Sequence, residues 1–276
     1  MNLPSIWPIH DLVIFDCDST LSAIEGIDEL ARVSGYEHDV AALTKRAMEG
    51  DLPLEAVYGQ RLGTARPTRD QVRAIAGKYR DAVVHGAREI VAALQGLGIQ
   101  VFIVSGGLIE PVRDFGVWLG LPREHVFAVG MAYNQLAGKW WRYWDQSAET
   151  HYLAHEANPL SAAGGKGRVI REIRAAHPGR ALLVGDGGSD LEAAGEVDLF
   201  VGFGGVAHRK QVAEEAPVYI HAPDLSPLLP LAAGTAGNTA RYARLWAGGL
   251  SRIANEGVTF NDGRLEEAFW GAVGRK

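Results

Sequence analysis

Leu12-Val13-Ile14-Phe15-Asp16-Cys17-Asp18-Ser19-Thr20 decides how this chain is read: an apolar run ends in two carboxylates one residue apart. A short, β-rich stretch without charge has the pattern of a strand buried on both faces of a parallel sheet. Ligands of such sheets bind outside the carboxyl ends of the strands. On extended backbone, residues two apart project from the same face, so Asp16 and Asp18 are expected to point the same way. One can attack or ligate while the other handles a proton.

Three further stretches place chemistry at the ends of apolar runs. Ser105-Gly106-Gly107 follows Val101-Phe102-Ile103-Val104 and offers a hydroxyl with two unshielded amides to an anion. Lys166, within Gly164-Gly165-Lys166-Gly167, is expected as a mobile cation at a helix start. Gly185-Asp186-Gly187-Gly188-Ser189-Asp190 follows Leu182-Leu183-Val184 and adds carboxylates to the same edge. Each stretch alone also reads as an ordinary turn or loop. Together they supply what phosphoryl transfer needs. Asp16, Asp18 and Asp186 form an oxygen-only set suited to Mg²⁺. Ser105, the Gly106 and Gly107 amides and Lys166 neutralise the oxygens of the transferring group.

Strand-like runs lie at residues 12–15, 100–104, 181–184, 199–201 and 218–220, with helical spacing at 86–97 and 167–176. Alternation of this kind predicts a parallel α/β sheet. From about residue 24 to 80 the pattern turns helical, at 26–33, 40–48, 54–62 and 69–79. That is too long for a crossover and predicts a helical cap inserted beside the Asp16 edge. The expected organisation is a core of residues 1–21 and 82–222, a cap of 22–81, and a C-terminal helical extension of 223–276. Tyr133, Ala137-Gly138 and the run Lys139–Trp144, with its three tryptophans, read as a β-hairpin. His151 and His155 read as one face of a helix rather than a metal pair.

Composition narrows the partners. With 27 Lys+Arg against 33 Asp+Glu, the net charge of −6 favours neither nucleic acid nor an anionic membrane. A single cysteine, Cys17, excludes an intrachain disulfide and a cysteine zinc cage. No apolar run approaches the roughly 20 residues of a membrane span. The first eight residues lack the pattern of a secretory signal, so the expected location is cytoplasmic. A homodimer stays open.

The four acid, serine-glycine, lysine and glycine-aspartate stretches resemble motifs of the haloacid dehalogenase superfamily. Phe15–Thr20 with Glu25-Gly26-Ile27-Asp28-Glu29-Leu30-Ala31, Ala47-Met48-Glu49-Gly50, Gln60-Arg61-Leu62 and Arg66–Val72 resemble its phosphoserine phosphatase family. The resemblance implies a Rossmann-like parallel sheet with an inserted helical cap, and Mg²⁺-dependent hydrolysis of a small phosphate ester through an aspartyl-phosphate. It implies Asp16 as nucleophile and Asp18 as general acid and base. Mg²⁺ is then held by Asp16, the Asp18 carbonyl and Asp186, with Asp190 behind them. Ser105, Gly106 and Lys166 bind the phosphoryl group, with Gly107 and Ser189 as further substrate-binding residues. Glu25 meets the serine ammonium, Arg61 the carboxylate, and Met48 lines the cavity. The same chemistry on a sugar or polyol phosphate is the alternative, and a catalytically inactive interaction module is the third reading.

Overall fold

The structure is a computed structural model that describes residues 7–48, 54–134, 152–155 and 158–274. Its main sheet has seven strands: β1 (Leu12–Phe15), β2 (Gln100–Leu108), β3 (Val126–Val129), β6 (Ala181–Gly185), β7 (Leu199–Phe203), β8 (Val218–Ile220) and β9 (Val258–Phe260). They lie in the order β3-β2-β1-β6-β7-β8-β9, all parallel except for β9. β1 pairs with β2 on one side and β6 on the other, Phe15 facing Ile103 and Val184. The strand order reverses at β1, and that is where a parallel sheet opens a crevice.

Strand alternation divides the core in two. Val13, Phe15, Val101, Ile103, Leu182 and Val184 enter one apolar cluster. Leu12, Ile14, Phe102, Val104, Ala181 and Leu183 enter the other. All four residues of β1 are shielded from solvent, as a central strand covered on both faces requires.

Between β1 and β2 come the cap helices α1 (Gly26–Ser34), α2 (Glu37–Met48), α3 (Leu54–Ala65) and α4 (Arg69–Asp81), then α5 (Ala87–Gly96) of the core. α4 starts at a capping box in which the Thr68 hydroxyl accepts from the Gln71 N–H and the Gln71 side chain accepts from the Thr68 N–H. Two linkers tie the cap to the core and pair with each other. Ala23 N–H donates to the Ala82 carbonyl (2.8 Å), and Val84 N–H donates to that of Leu21 (2.9 Å). The second linker has another neighbour, since the Leu225 N–H donates to the His85 carbonyl (3.1 Å).

The remaining helices are α6 (Ile109–Leu119), α7 (Gly165–Ala176), α8 (Gly188–Glu192), α9 (Lys210–Glu215), α10 (Leu228–Ala233), α11 (Ala243–Ala254) and α12 (Gly263–Val273). Among the described residues no helix is long and apolar enough to cross a membrane.

Two local readings are corrected, and the hairpin reading falls outside the described residues. β4 (Met131–Tyr133) and β5 (Tyr152–His155) form an antiparallel pair in which Tyr133 faces Tyr152. The Ala137-Gly138 turn, the tryptophans and His151 lie outside the described residues; His155 is in a strand, not on a helix. The residues after 223 are not helical alone, because Val258–Phe260 adds an antiparallel edge strand to β8.

The extension also braces the linkers. On α11, Gly249 and Arg252 are one turn apart and share a face. Arg252 Nε pairs with the buried Asp224 (3.1 Å), and a β-carbon at position 249 would collide with the Ser226 carbonyl. Gly249→Ala should therefore lower stability by about 1–3 kcal/mol despite alanine's better helix propensity. Urea unfolding measures this, and an unchanged or raised midpoint would contradict the close docking of α11.

Candidate active site

The end of β1 continues into the site without a break: the Asp16 N–H still donates to the Val184 carbonyl (2.9 Å). The chain then turns sharply, with the Cys17 carbonyl accepting from Leu21 (2.9 Å) and Ser22 (3.1 Å). Ser19 sits at φ +54°, in the left-handed region that costs a non-glycine residue on the order of 1–3 kcal/mol. There its hydroxyl donates to Glu25 Oε1 (2.9 Å), the residue preceding α1.

Three carboxylates converge at this edge. Asp16, Asp186 and Asp190, all buried, each offer an oxygen within 4.8 Å of the others. Burial and the neighbouring Asp16 raise the Asp186 carboxyl above the usual carboxylate range. Burial also pushes Asp190 up to about 7, against the opposing pull of Lys166. Lys166 is not the mobile cation expected from its glycine neighbours. It is 5% exposed, and its Nζ lies 2.7 Å from Asp190 Oδ1 and 3.1 Å from Asp16 Oδ1. Burial alone would lower its pKa, but the two carboxylates outweigh burial and raise it. Buried acids that crowd together call for positive charge, and an all-oxygen donor set suits a hard divalent cation.

Asp18 faces elsewhere. Its Oδ1 accepts from the Gly26 N–H (2.7 Å) and the Tyr79 hydroxyl (2.7 Å), both in the cap. A β-carbon built on Gly107 would stand 2.9 Å from Asp18 Oδ2 and 3.2 Å from Ser105 Oγ, so Oδ2 is turned to the serine-glycine loop. Ser105 is buried and accepts from the Gly107 N–H (3.0 Å), while Gly106 is exposed. The two acids of the opening motif therefore serve different neighbours. Among the described residues the Asp18 side chain is absent from the carboxylate cluster. Ser189, on α8, is exposed.

Arg209 was not foreseen. It precedes α9 and bridges core and cap, with Nε on Asp186 Oδ2 (2.8 Å) and Nη2 on Glu25 Oε1 (3.3 Å). The sequence signal available was a first cation after the glycine-rich end of β7, at the same edge as the other motifs. Arg61 donates to Asp28 Oδ1 (2.6 Å), one turn beyond Glu25 on α1, and its buried Nε has no partner among the described residues. Met48 closes α2, and its side chain lies outside the described residues.

Residues 10–198 match the family model of the haloacid dehalogenase-like hydrolases. This chain belongs to that family. Phosphoserine phosphatase of Mus musculus is 38% identical over 211 residues, which cover 76% of this chain and 88% of the relative. A solved phosphoserine phosphatase with substrate bound aligns at TM-score 0.66 and 26% identity, over 80% of this chain and 98% of that one. A phospho-aspartyl intermediate analogue of phosphoserine phosphatase aligns at 0.65 and 27%, with the same coverage.

Within this family site, Asp18 is the acid whose protonation is most displaced. Burial and the charges of Glu25 and Asp16 push it up to about 8, against the Tyr79 and Gly26 hydrogen bonds. In the unfolded chain an aspartate titrates near about 3.9. The folded state thus holds this proton more tightly. The resulting stabilisation is whole below about pH 4, declines as pH rises, and is lost above about pH 8. Asp18→Asn keeps an acceptor for both donors and cannot ionise. In metal-free buffer, wild type should lose stability relative to Asp18→Asn across that window in urea unfolding. Parallel stability curves would refute the displaced proton.

Proposed function

We propose that this chain hydrolyses O-phospho-L-serine to L-serine and orthophosphate by two successive displacements at phosphorus. The observation that carries the reading is the division of labour at the end of β1: Asp16 beside buried Lys166, and Asp18 Oδ2 turned to the Ser105–Gly107 loop. In the first step an Asp16 carboxylate oxygen bonds to phosphorus while the bond from phosphorus to the serine oxygen breaks. Asp18 gives its proton to that departing oxygen. In the second step Asp18 takes a proton from water, the water oxygen bonds to phosphorus, and the Asp16 carboxylate leaves.

Lys166, Ser105 and the Gly106 and Gly107 amides face the charge that builds on the phosphoryl oxygens. Mg²⁺ fits the donor set of Asp16, the Asp18 carbonyl and Asp186, and when bound it supplies charge neutralisation to the phosphate. Asp190 holds Lys166 and accepts from the Gly187 N–H (3.1 Å), fixing the loop that carries Asp186. Ser189, exposed on α8, is a further substrate contact in this reading. Glu25 suits the substrate ammonium, and Arg61 suits its carboxylate through a bidentate fork.

One observation favours a second substrate. Arg61 is engaged by Asp28, and Glu25 by Ser19 and Arg209, so both amino-acid contacts already have partners. A sugar or polyol phosphate would leave those pairs intact.

A panel of phosphate esters ranked by kcat/KM separates the two. Phosphoserine should lead it, and Arg61→Ala should erase the preference for carboxylated esters; a flat ranking, or a preference that survives the change, favours the second substrate. Asp16→Asn should cut turnover by about 10⁴-fold or more. Chelation should remove activity and added Mg²⁺ should restore it. Turnover by Asp16→Asn would exclude the covalent route.

A further inference from the structure

Tyr79 lies on the face of α4 that carries Val72, Ile75 and Ala76 into the core. Its ring is fully buried and tilts against Phe115 at 5.5 Å between centroids. A phenylalanine would fill that space as well, so packing does not account for the hydroxyl. The hydroxyl has one acceptor, Asp18 Oδ1, at 2.7 Å. Gly26 donates to the same oxygen, and a β-carbon on Gly26 would collide with the Tyr79 hydroxyl. The start of α1 is thereby shaped around this contact.

We infer that Tyr79 is a positioning residue for Asp18, fixing its carboxyl rotamer so that Oδ2, the oxygen facing the Ser105–Gly107 loop, exchanges the proton with substrate. This rests on Asp18 acting as the acid. The terminal torsion of aspartate is broad and roughly two-fold, so a free carboxyl would present either oxygen. Here Oδ1 already accepts an N–H, which cannot act as acceptor, and a hydroxyl with no other partner among the described residues. A proton on Oδ1 would confront both donors. On Oδ2 it faces the phosphoryl site, where it passes to the departing oxygen as that oxygen receives the electron pair of the breaking bond. Because Gly26 and Tyr79 both belong to the cap, the acid is set only while the cap is seated on the core. The exclusion of water and the aiming of the proton then become one event.

The test compares leaving groups. p-Nitrophenolate departs without a proton, whereas an alkoxide needs one. Tyr79→Phe should lower kcat/KM, which reports only the steps through departure of the leaving group and not the shared second displacement, by about 10-fold or more for the alkyl ester that wild type turns over best, with p-nitrophenyl phosphate changed less than about 2-fold. Choosing the ester by its kcat/KM keeps this outcome independent of whether phosphoserine is the substrate. The melting temperature of Tyr79→Phe checks that the fold is kept. Asp18→Asn should show the same selectivity with a larger loss, about 10²- to 10⁴-fold on the alkyl ester. Equal losses on both esters in Tyr79→Phe, or no loss on either, overturn the positioning role. Equal losses in Asp18→Asn overturn the acid role itself, and the proposal with it.

Discussion

Lys166 carries a full charge where water scarcely reaches, and it does so between Asp16 and Asp190. Each of the three would be costly alone. A buried ammonium favours losing its proton and a buried carboxylate favours keeping one; the two acids reverse the first tendency, while Lys166 opposes the second at Asp190 without overcoming it. The rest of the edge depends on this exchange. With Lys166 spent on two acids, Asp186 is left to Arg209 and Thr20, and negative charge accumulates beyond what the local cations balance. A divalent cation would answer that imbalance. The parallel sheet contributes by bringing β1 and β6 side by side in register, so carboxylates distant in sequence end at one level.

The cap adds directed hydrogen bonds to its apolar packing, in which the Tyr79 ring meets Phe115 of α6. It reaches Asp18 through Gly26 and Tyr79 and reaches Glu25 through the helix start, while paired linkers and the Leu225 contact steady its base. Arg209 ties Glu25 to Asp186 across the same gap. At the site, cap and core therefore meet through polar groups as well as apolar ones, and turns hold the polar groups in place. One is the left-handed residue at Ser19, which aims a hydroxyl at Glu25.

Strand ends were the legible part of this molecule. Apolar runs followed by Asp16, Ser105 and Asp186 announce themselves because a parallel sheet must bury its strands and display its termini. What escaped depended on contacts made across the fold. Tyr79 sits at helical spacing from Val72 and Ile75, so its hydroxyl hides within a core stripe. Arg209 lacks any neighbouring motif, and its role emerges only when β7 lies next to β6. Lys166 looked solvated among glycines, yet it is drawn inward by acids that lie far from it in sequence. Val126–Val129 and Val258–Phe260 are too short for periodicity to separate strand from loop.

The antiparallel strand β9 has a consequence for how molecules of this chain meet. A parallel sheet ending at β8 would present unpaired main-chain donors and acceptors to any neighbouring chain. Val258–Phe260 covers that row and replaces it with an edge only three residues long. The bend into α12 follows at once, capped by Asp262 accepting from the Arg264 N–H (2.9 Å). So short a rail gives an intruding strand little to bind, and on that side the extension acts as a guard against strand-to-strand aggregation.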